Sequence, residues 1–206
     1  YATDLDAGDL DGDGKEDLVA ANVNDESIQV LLSSTEDNGD PMFDKSTITL
    51  ENDSIDEELT CIAIIDWDGD ANLDVVVGSD YGEEETEDAF KVLLDVADLG
   101  LGSHFGPTIS IPSSPEGIDT ANCVDGGNRD SAWGFVSGTK NGQALRVSPN
   151  GSSATVANLA DTTLGNLVFI DARELSDGEG DGYIDIIAAS DETQSLYIFQ
   201  GSDSAH

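Results

Sequence analysis

The sequence predicts an all-β protein, a β-propeller or partial propeller of about four blade-like, four-stranded repeats. The first observation is a pattern that recurs every 52 to 59 residues along the 206-residue chain. The second is the form of its apolar runs, which are short, rich in Val and Ile, and bounded by Gly, Asn, Asp and Ser, as is typical of β-strands. Four strands per unit at this period favour a propeller blade over a two-strand solenoid coil.

Each repeat contains an apolar run, an acidic Gly-containing loop, a second apolar run, a polar gap and a third apolar run. The loops end at equivalent residues, which are Asp17, Asp74, Trp133 and Asp185. A fourth strand is predicted near 45–50, 107–112 and 153–159. The units of this single domain are therefore expected at roughly 1–50, 60–112, 117–160 and 165–203.

The ends of the chain shape one expectation about closure. The sequence starts in a strand that precedes a loop and stops after the third strand of the last unit. We expect a fragment of a larger propeller. Four blades that close on themselves, or partner chains that complete the sheet, are the alternatives. An open array would leave strand edges that invite pairing.

Acidic side chains dominate the composition, with 44 Asp and Glu against 7 Lys and Arg and a formal net charge of −37. Nucleic acid is disfavoured as a partner because phosphates require clustered Lys and Arg. No window of 18 apolar residues occurs, so membrane insertion is not predicted. Self-repulsion of this size is tolerable where molar salt shortens the Debye length to about 3 Å. We expect a halophilic or marine extracellular source, with an acidic face that binds cations, minerals or a basic partner as the alternative.

The acidic loops follow the pattern D-x-D-x-D-G-x-x-D, which predicts a metal site. Side chains at positions 1, 3 and 5 are expected to converge, Gly at position 6 permits a sharp turn, position 7 offers a backbone carbonyl, and position 9 closes the shell. Hard oxygen ligands in a flexible loop are what Ca²⁺ prefers. The candidate ligands are Asp9, Asp11, Asp13, Lys15 and Asp17 in loop one; Asp66, Asp68, Asp70, Asn72 and Asp74 in loop two; and Asp177, Glu179, Asp181, Tyr183 and Asp185 in loop four.

Three features qualify these sites. Ala71 replaces the turn Gly of loop two, where a positive φ would cost about 1 kcal/mol. The strand before loop four is expected to end at Asp171, which makes Asp171 a competing first ligand. Loop three keeps only Asp125 and places Arg129 and Trp133 at ligand positions, so no metal is predicted there.

Two other interpretations of the loops are disfavoured. An EF-hand needs a Glu at position 12 and flanking helices, whereas position 12 falls on Ala20, Val77 and Ala188, each in a β-like run. Ordinary solvated turns are also rich in Asp and Gly. Three copies in register with flanking strands favour metal binding over such turns.

The order of strand, DLDGDGKEDLVAAN loop and strand resembles the FG-GAP or VCBS-like calcium-binding repeat, known from integrin alpha propellers and secreted microbial proteins. The resemblance covers nearly the whole chain as four units, and it is closer to the microbial version because only Phe105-Gly106-Pro107 echoes the FG-GAP signature. It implies Ca²⁺ at about three sites, held between consecutive strands on one face of a propeller. Adhesion proteins, carbohydrate-binding proteins and accessory domains of extracellular enzymes are the functions that it implies.

Catalysis is disfavoured because only two histidines occur, His104 and His206, and close carboxylate pairs fall within the metal loops. The sequence therefore predicts no enzyme. We expect a calcium-stabilised extracellular binding, adhesion or assembly module on a cell surface, filament or virion. Its partner would be a protein or glycan ligand, or a chain that completes the sheet by self-assembly. An accessory carbohydrate-binding domain of a secreted polysaccharide-active enzyme is the alternative.

Two further patterns concern covalent chemistry. Cys61 and Cys123 fall in the same strand of neighbouring units, offset by about 10 Å, which favours two buried thiols and leaves a disulfide as the alternative. Asn52 and Asn150 begin N-glycosylation sequons in predicted loops.

Overall fold

The computed structural model describes twelve segments of the chain, which are 2–22, 27–35, 41–49, 58–80, 88–96, 104–111, 115–122, 133–139, 141–150, 153–159, 164–173 and 185–200. Within these segments there are β-strands and no α-helix, so the all-β prediction is confirmed. No helix capable of spanning a membrane is found in the same segments.

The strands are numbered in chain order. They are Ala2–Gly8 (β1), Asp17–Asn22 (β2), Ser27–Thr35 (β3), Pro41–Thr49 (β4), Glu58–Ile65 (β5), Asp74–Asp80 (β6), Asp88–Leu94 (β7), His104–Ile111 (β8), Pro115–Asn122 (β9), Trp133–Thr139 (β10), Ala144–Asn150 (β11), Ser153–Asn158 (β12), Leu167–Arg173 (β13), Asp185–Ser190 (β14) and Ser195–Phe199 (β15).

The described strands form four antiparallel sheets, and within each sheet every strand pairs with the next along the chain. Sheet 1 contains β1–β4, sheet 2 contains β5–β8, sheet 3 contains β9–β12, and sheet 4 contains β13–β15. The predicted fourth strands correspond to β4, β8 and β12. Four-stranded, blade-like repeats are therefore confirmed for the first three sheets.

The core lies in three seams between consecutive sheets. Seam one joins sheets 1 and 2, seam two joins sheets 2 and 3, and seam three joins sheets 3 and 4. The run Val75-Val76-Val77 shows how one strand serves two seams: Val75 and Val77 pack in seam one, and Val76 packs in seam two. Successive side chains point to opposite faces of a sheet, so an inner sheet needs a continuous apolar run to fill both seams.

Carboxylates on β1 accept hydrogen bonds from backbone amides of β5, the edge strand of sheet 2. The backbone amide of Ile62 donates to Asp4 Oδ2 at 3.0 Å, and that of Ile64 donates to Asp6 Oδ2 at 2.8 Å. Thr3 Oγ1 donates to the carbonyl of Leu59 at 2.7 Å. β5 is the first strand of its sheet, so these side chains occupy hydrogen-bonding groups that an open edge would leave unpaired. Burial raises the pKa of Asp4, and the nearby charge of Asp6 adds to the increase.

Seam two is tight around Cys61, which is buried opposite Gly78. A Cβ atom at Gly78 would lie 2.6 Å from Cys61 Sγ and 2.7 Å from Pro115 Cγ. Glycine therefore allows β6 to approach both its own sheet partner and sheet 3. Cys123 lies outside the described residues, as do Asn52 and His206. Asn150 ends β11, where it pairs with Ser153 across a hairpin.

We predict that Gly78→Ala lowers the free energy of unfolding by about 1–3 kcal/mol, because the added methyl group overpacks a filled seam. Urea unfolding in calcium-containing buffer measures the loss. Cys61→Ala removes one of the two clashing atoms, so the double variant should lose less stability than the sum of the single variants. Strictly additive losses would contradict the proposed contact.

Candidate metal centre

Loop one connects β1 to β2 and brings three carboxylates together. Oxygen atoms of Asp9, Asp11 and Asp17 all lie within 4.8 Å of one another. Gly12 and Gly14, with φ of 72° and 85°, reverse the chain between these side chains. Only glycine adopts this left-handed conformation without a steric cost.

Backbone amides of the loop hold its carboxylates in place. The amide of Gly14 donates to Asp9 Oδ2 at 2.9 Å, and the amide of Asp13 donates to Asp11 Oδ1 at 3.0 Å. The first bond joins residues five positions apart and the second joins residues two positions apart. The loop therefore folds around its own acidic side chains, as Asx turns do.

Loop two, between β5 and β6, repeats the same geometry. Asp66, Asp68 and Asp74 have oxygen atoms within 4.8 Å of one another. The amide of Ala71 donates to Asp66 Oδ2 at 3.2 Å, in the place of the bond from Gly14 to Asp9. Ala71 has φ of 75°. The strained turn predicted from the sequence is therefore confirmed.

In loops one and two, the aspartate at position 9 joins the loop to the third strand of its sheet or to the residue just after it. The fully buried Asp17 accepts from the amide of Leu10 at 2.8 Å and from the amide of Ser33, on β3, at 2.7 Å. This anchoring role was missed from the sequence, which indicated only a ligand. The available signal was its position, since Asp17 directly precedes the apolar run LVAA of β2.

Asp74 makes the equivalent contacts in sheet 2. The amide of Trp67 donates to Asp74 Oδ2 at 2.9 Å, and the amide of Asp95, just after β7, donates to Oδ1 at 2.9 Å. Burial raises the pKa of Asp74 to about 6, the charges of Asp68 and Asp95 add to it, and the two amide bonds oppose the increase. The pKa of Asp68 is also raised, by burial first and then by the charge of Asp70.

The residues at position 5 differ from the expectation. Asp13 and Asp70 lie outside the two groups of converging carboxylates. The carboxylate of Asp13 accepts from the ammonium and the amide of Lys15, and these contacts lower its pKa. Asp70 accepts from the amide of Asn72 at 2.8 Å and from its Nδ2 at 2.9 Å. The structure thus brings together positions 1, 3 and 9, and pairs position 5 with position 7.

An unsatisfied oxygen in loop one tests whether a cation fits. Asp9 Oδ1 is buried and has no hydrogen-bond partner in the described part of the chain, a state that costs free energy unless another group binds it. In loop two, the equivalent Asp66 accepts at both oxygens, from Gly69 at 2.8 Å and from Ala71 at 3.2 Å. Both groups offer only hard oxygen donors, which suits Ca²⁺. Loop one fits a cation better than loop two, because Asp9 has an oxygen without a hydrogen-bond partner and Asp66 has none.

The two loops face each other across a cleft of about 510 Å³. It is lined by Asp9, Leu10, Asp11, Gly12, Ala71, Asn72, Leu73 and Asp95. Residues of both acidic loops therefore border one concave surface, at the same end of neighbouring sheets.

The sequence placed a further site at loop four. Its candidates Asp177, Glu179, Asp181 and Tyr183 lie outside the described residues, as do Asp125 and Arg129 of loop three. Asp185 begins β14, in the place of Asp17 and Asp74. The expected strand end at Asp171 is wrong, because β13 continues to Arg173, which pairs with Asp185. Asp171 pairs with Ile187 inside the ladder, so two strand residues separate it from the loop.

The EF-hand alternative can now be judged from the flanking elements. Position 12 of the three loops lies in β2, β6 and β14, at Ala20, Val77 and Ala188. Strands, and not helices, follow each loop. The sequence-based rejection of an EF-hand is therefore confirmed.

A family comparison covers both described loops. The FG-GAP-like repeat family matches residues 9–77. The resemblance inferred from the DLDGDGKED motif is thereby confirmed over a stretch that runs from Asp9 of loop one to β6. No curated protein matches the chain.

Two solved structures are similar to this chain, and the first of them supports its fold. The crystal structure of BBS1N in complex with ARL6DN, soaked with mercury, is similar with a TM-score of 0.60 and 16% identity, over 99% of this chain and 56% of that one. The lead-soaked form of the same complex gives a TM-score of 0.40 and 13% identity, over 97% and 81%. The fold is that of a β-propeller. This chain spans just over half the length of the mercury-soaked BBS1N chain.

The strained alanine gives a matched pair of variants. We predict that Ala71→Gly raises the free energy of unfolding by about 1 kcal/mol and that Gly14→Ala lowers it by about the same amount, because both residues adopt left-handed φ. Chemical unfolding of both variants, with and without calcium, measures these changes. A loss of stability in Ala71→Gly would contradict the strain assigned to this turn.

The raised pKa of Asp74 predicts a measurable titration in chelator. Between its ordinary value of 3.8 and about 6, the folded protein binds this proton more tightly than the unfolded chain, so the stability of the metal-free protein falls as pH rises through this window. Carboxyl ¹³C shifts, assigned with Asp74→Asn, should give a midpoint near 6 that falls when Ca²⁺ is added. A midpoint at or below the ordinary value in chelator would exclude the proposed desolvation.

Proposed function

We propose that this protein is a non-catalytic, calcium-stabilised binding or assembly module that acts outside the cell. The observation that carries the proposal is the pair of equivalent acidic loops in an FG-GAP-like repeat, one of which contains the buried and unpaired oxygen Asp9 Oδ1. A structural cation explains both the converging carboxylates and this oxygen.

Asp9, Asp11 and Asp17 would hold the cation in loop one, and Asp66, Asp68 and Asp74 would hold it in loop two. A bound Ca²⁺ supplies two positive charges among carboxylates that otherwise repel one another. Asp17 also binds the third strand of its sheet, and Asp74 binds the residue just after the third strand, so cation binding would stabilise the sheet and not only the loop.

Binding to another molecule is the activity that the fold supports best. The BBS1N structure contains a protein partner, ARL6DN, and this supports protein binding by the fold in general. We infer a protein or glycan ligand on a cell surface, filament or virion, and self-assembly as a further role. The formal charge of −37 fits a saline extracellular setting, where salt screens repulsion among the acidic side chains.

We predict that Ca²⁺ raises the melting temperature and that excess chelator at constant ionic strength abolishes the increase. At a free Ca²⁺ concentration about 100-fold above Kd, each site contributes about 2.7 kcal/mol, or a shift of about 5–11 °C for a domain of this size. Differential scanning calorimetry measures the shift. An unchanged melt in chelator would rule out structural calcium.

Single-site variants assign this effect to the loops. Asp11→Asn and Asp68→Asn should each reduce the calcium-dependent shift, whereas Asp44→Asn, an exposed change on β4, should leave it intact. The loss should be larger for Asp11→Asn, because of the two loops that the structure describes, loop one has an unpaired buried oxygen and loop two has none. Equal shifts in all three variants would contradict the assignment.

A further inference from the structure

One place in the sheet contacts position 9 of each described acidic loop from outside the loop. Ser33 of β3 donates its amide to Asp17 Oδ1 at 2.7 Å, and Asp95, just after β7, donates its amide to Asp74 Oδ1 at 2.9 Å. Counting the register from position 9 across the second and third strands reaches the same place in both sheets. Ser33 and Asp95 therefore share one equivalent place, the third-strand position, which lies 16 and 21 residues after position 9.

The hydroxyl group at this position in sheet 1 is unsatisfied. Ser33 Oγ is buried and has no hydrogen-bond partner in the described part of the chain, and the same is true of Asp9 Oδ1 in loop one. Both residues adjoin Asp17, because the carboxylates of Asp9 and Asp17 converge and the amide of Ser33 binds Asp17 Oδ1. A buried oxygen without a partner costs free energy. Since Ca²⁺ binds neutral and anionic oxygens alike, one cation can satisfy both atoms.

The carboxylate of Asp95 shows where a side chain at the third-strand position acts. Burial is the main cause of the raised pKa values of Asp68 and Asp74, and the negative charge of Asp95 adds to both. Asp95 also borders the cleft between the two loops, together with Asn72 of loop two. A side chain at this position is therefore close to positions 3 and 9 of its loop.

We propose that the third-strand position supplies a ligand to each cation site from outside the acidic loop: the hydroxyl of Ser33 in loop one and the carboxylate of Asp95 in loop two. Each site then takes ligands from both the loop and the sheet. The inference rests on the proposed calcium sites and adds to them a residue that the D-x-D-x-D-G-x-x-D motif does not contain.

An ordinary role is the alternative for each residue. A water molecule can satisfy the hydroxyl of Ser33, and Asp95 can be one solvated carboxylate among many in this acidic chain. Neither role gives the residue an effect on calcium affinity, so affinity separates these roles from the proposal.

Calorimetric titration of the full chain with CaCl₂ at constant ionic strength tests the inference. Ser33→Ala and Asp95→Asn should each weaken the calcium affinity of one site by about 10-fold. Asn suits the second variant because it keeps the size of Asp and tolerates the φ of 51° at Asp95. The matched controls are Ser34→Ala, on the opposite face of β3, and Asp44→Asn, an exposed change on β4, and both should bind like wild type.

Terbium luminescence assigns the effect of Asp95→Asn to loop two. Tb³⁺ is a hard cation that takes oxygen ligands as Ca²⁺ does. Trp67 lies in loop two, where its amide binds Asp74, so emission excited through tryptophan reports this site most strongly. Asp95→Asn should move the Tb³⁺ titration to higher concentration, whereas Ser33→Ala should leave it unchanged.

Melting in excess chelator gives a readout with a different sign for a structural role. Without a cation, Asp95→Asn removes repulsion against Asp68 and Asp74, and Ser33→Ala removes an unsatisfied hydroxyl. Neither variant should therefore lower the melting temperature in chelator. Both should reduce the increase that Ca²⁺ produces, while the two controls should keep it.

Each alternative outcome overturns a defined part of the proposal. Wild-type calcium affinity in both variants overturns the third-strand ligands and leaves the calcium sites of the loops standing. An effect in only one variant overturns the ligand role of the other residue. An equal loss of melting temperature with and without Ca²⁺ indicates a structural role and also overturns the inference. A wild type that binds no Ca²⁺ refutes the calcium sites together with it. Circular dichroism confirms that the variants are folded.

Discussion

A buried carboxylate at the start of the second strand is the interaction on which the rest of the site depends. Asp17 binds an amide of its own loop and an amide of β3, and Asp74 binds an amide of its own loop and the amide just after β7. Leu10 and Trp67, which donate the loop amides, also bury their side chains in seams one and two. The carboxylate thus couples the loop to the sheet, and the apolar residue that donates the loop amide, Leu10 or Trp67, couples the loop to the core.

This coupling gives the excess negative charge a structural use. Burying a carboxylate costs free energy unless hydrogen bonds or cations compensate it. The amides of the loop compensate part of the cost, and β1 repeats the device without a loop, since Asp4 and Asp6 bind amides of β5. Acidic side chains therefore close a strand edge in one place and converge in the loops in another.

The sequence predicted those features that depend on local spacing. The repeat period, the four-stranded units and the strain at Ala71 follow from residues that are close in the chain, and all three are confirmed. It did not predict contacts between residues far apart, such as Asp4 with Ile62, which are separated by 58 positions. The pairing of Asp13 with Lys15 was also missed, because the repeat pattern assigned position 5 to the metal and gave no weight to a competing ammonium group.

Repetition explains why the chain can be interpreted by comparing one sheet with the next. Residues at the same place in successive sheets have the same pleat direction, so a difference in their burial reports a difference in what packs against them. Ile62 and Leu5 differ in this way, as do Val30 and Ile198.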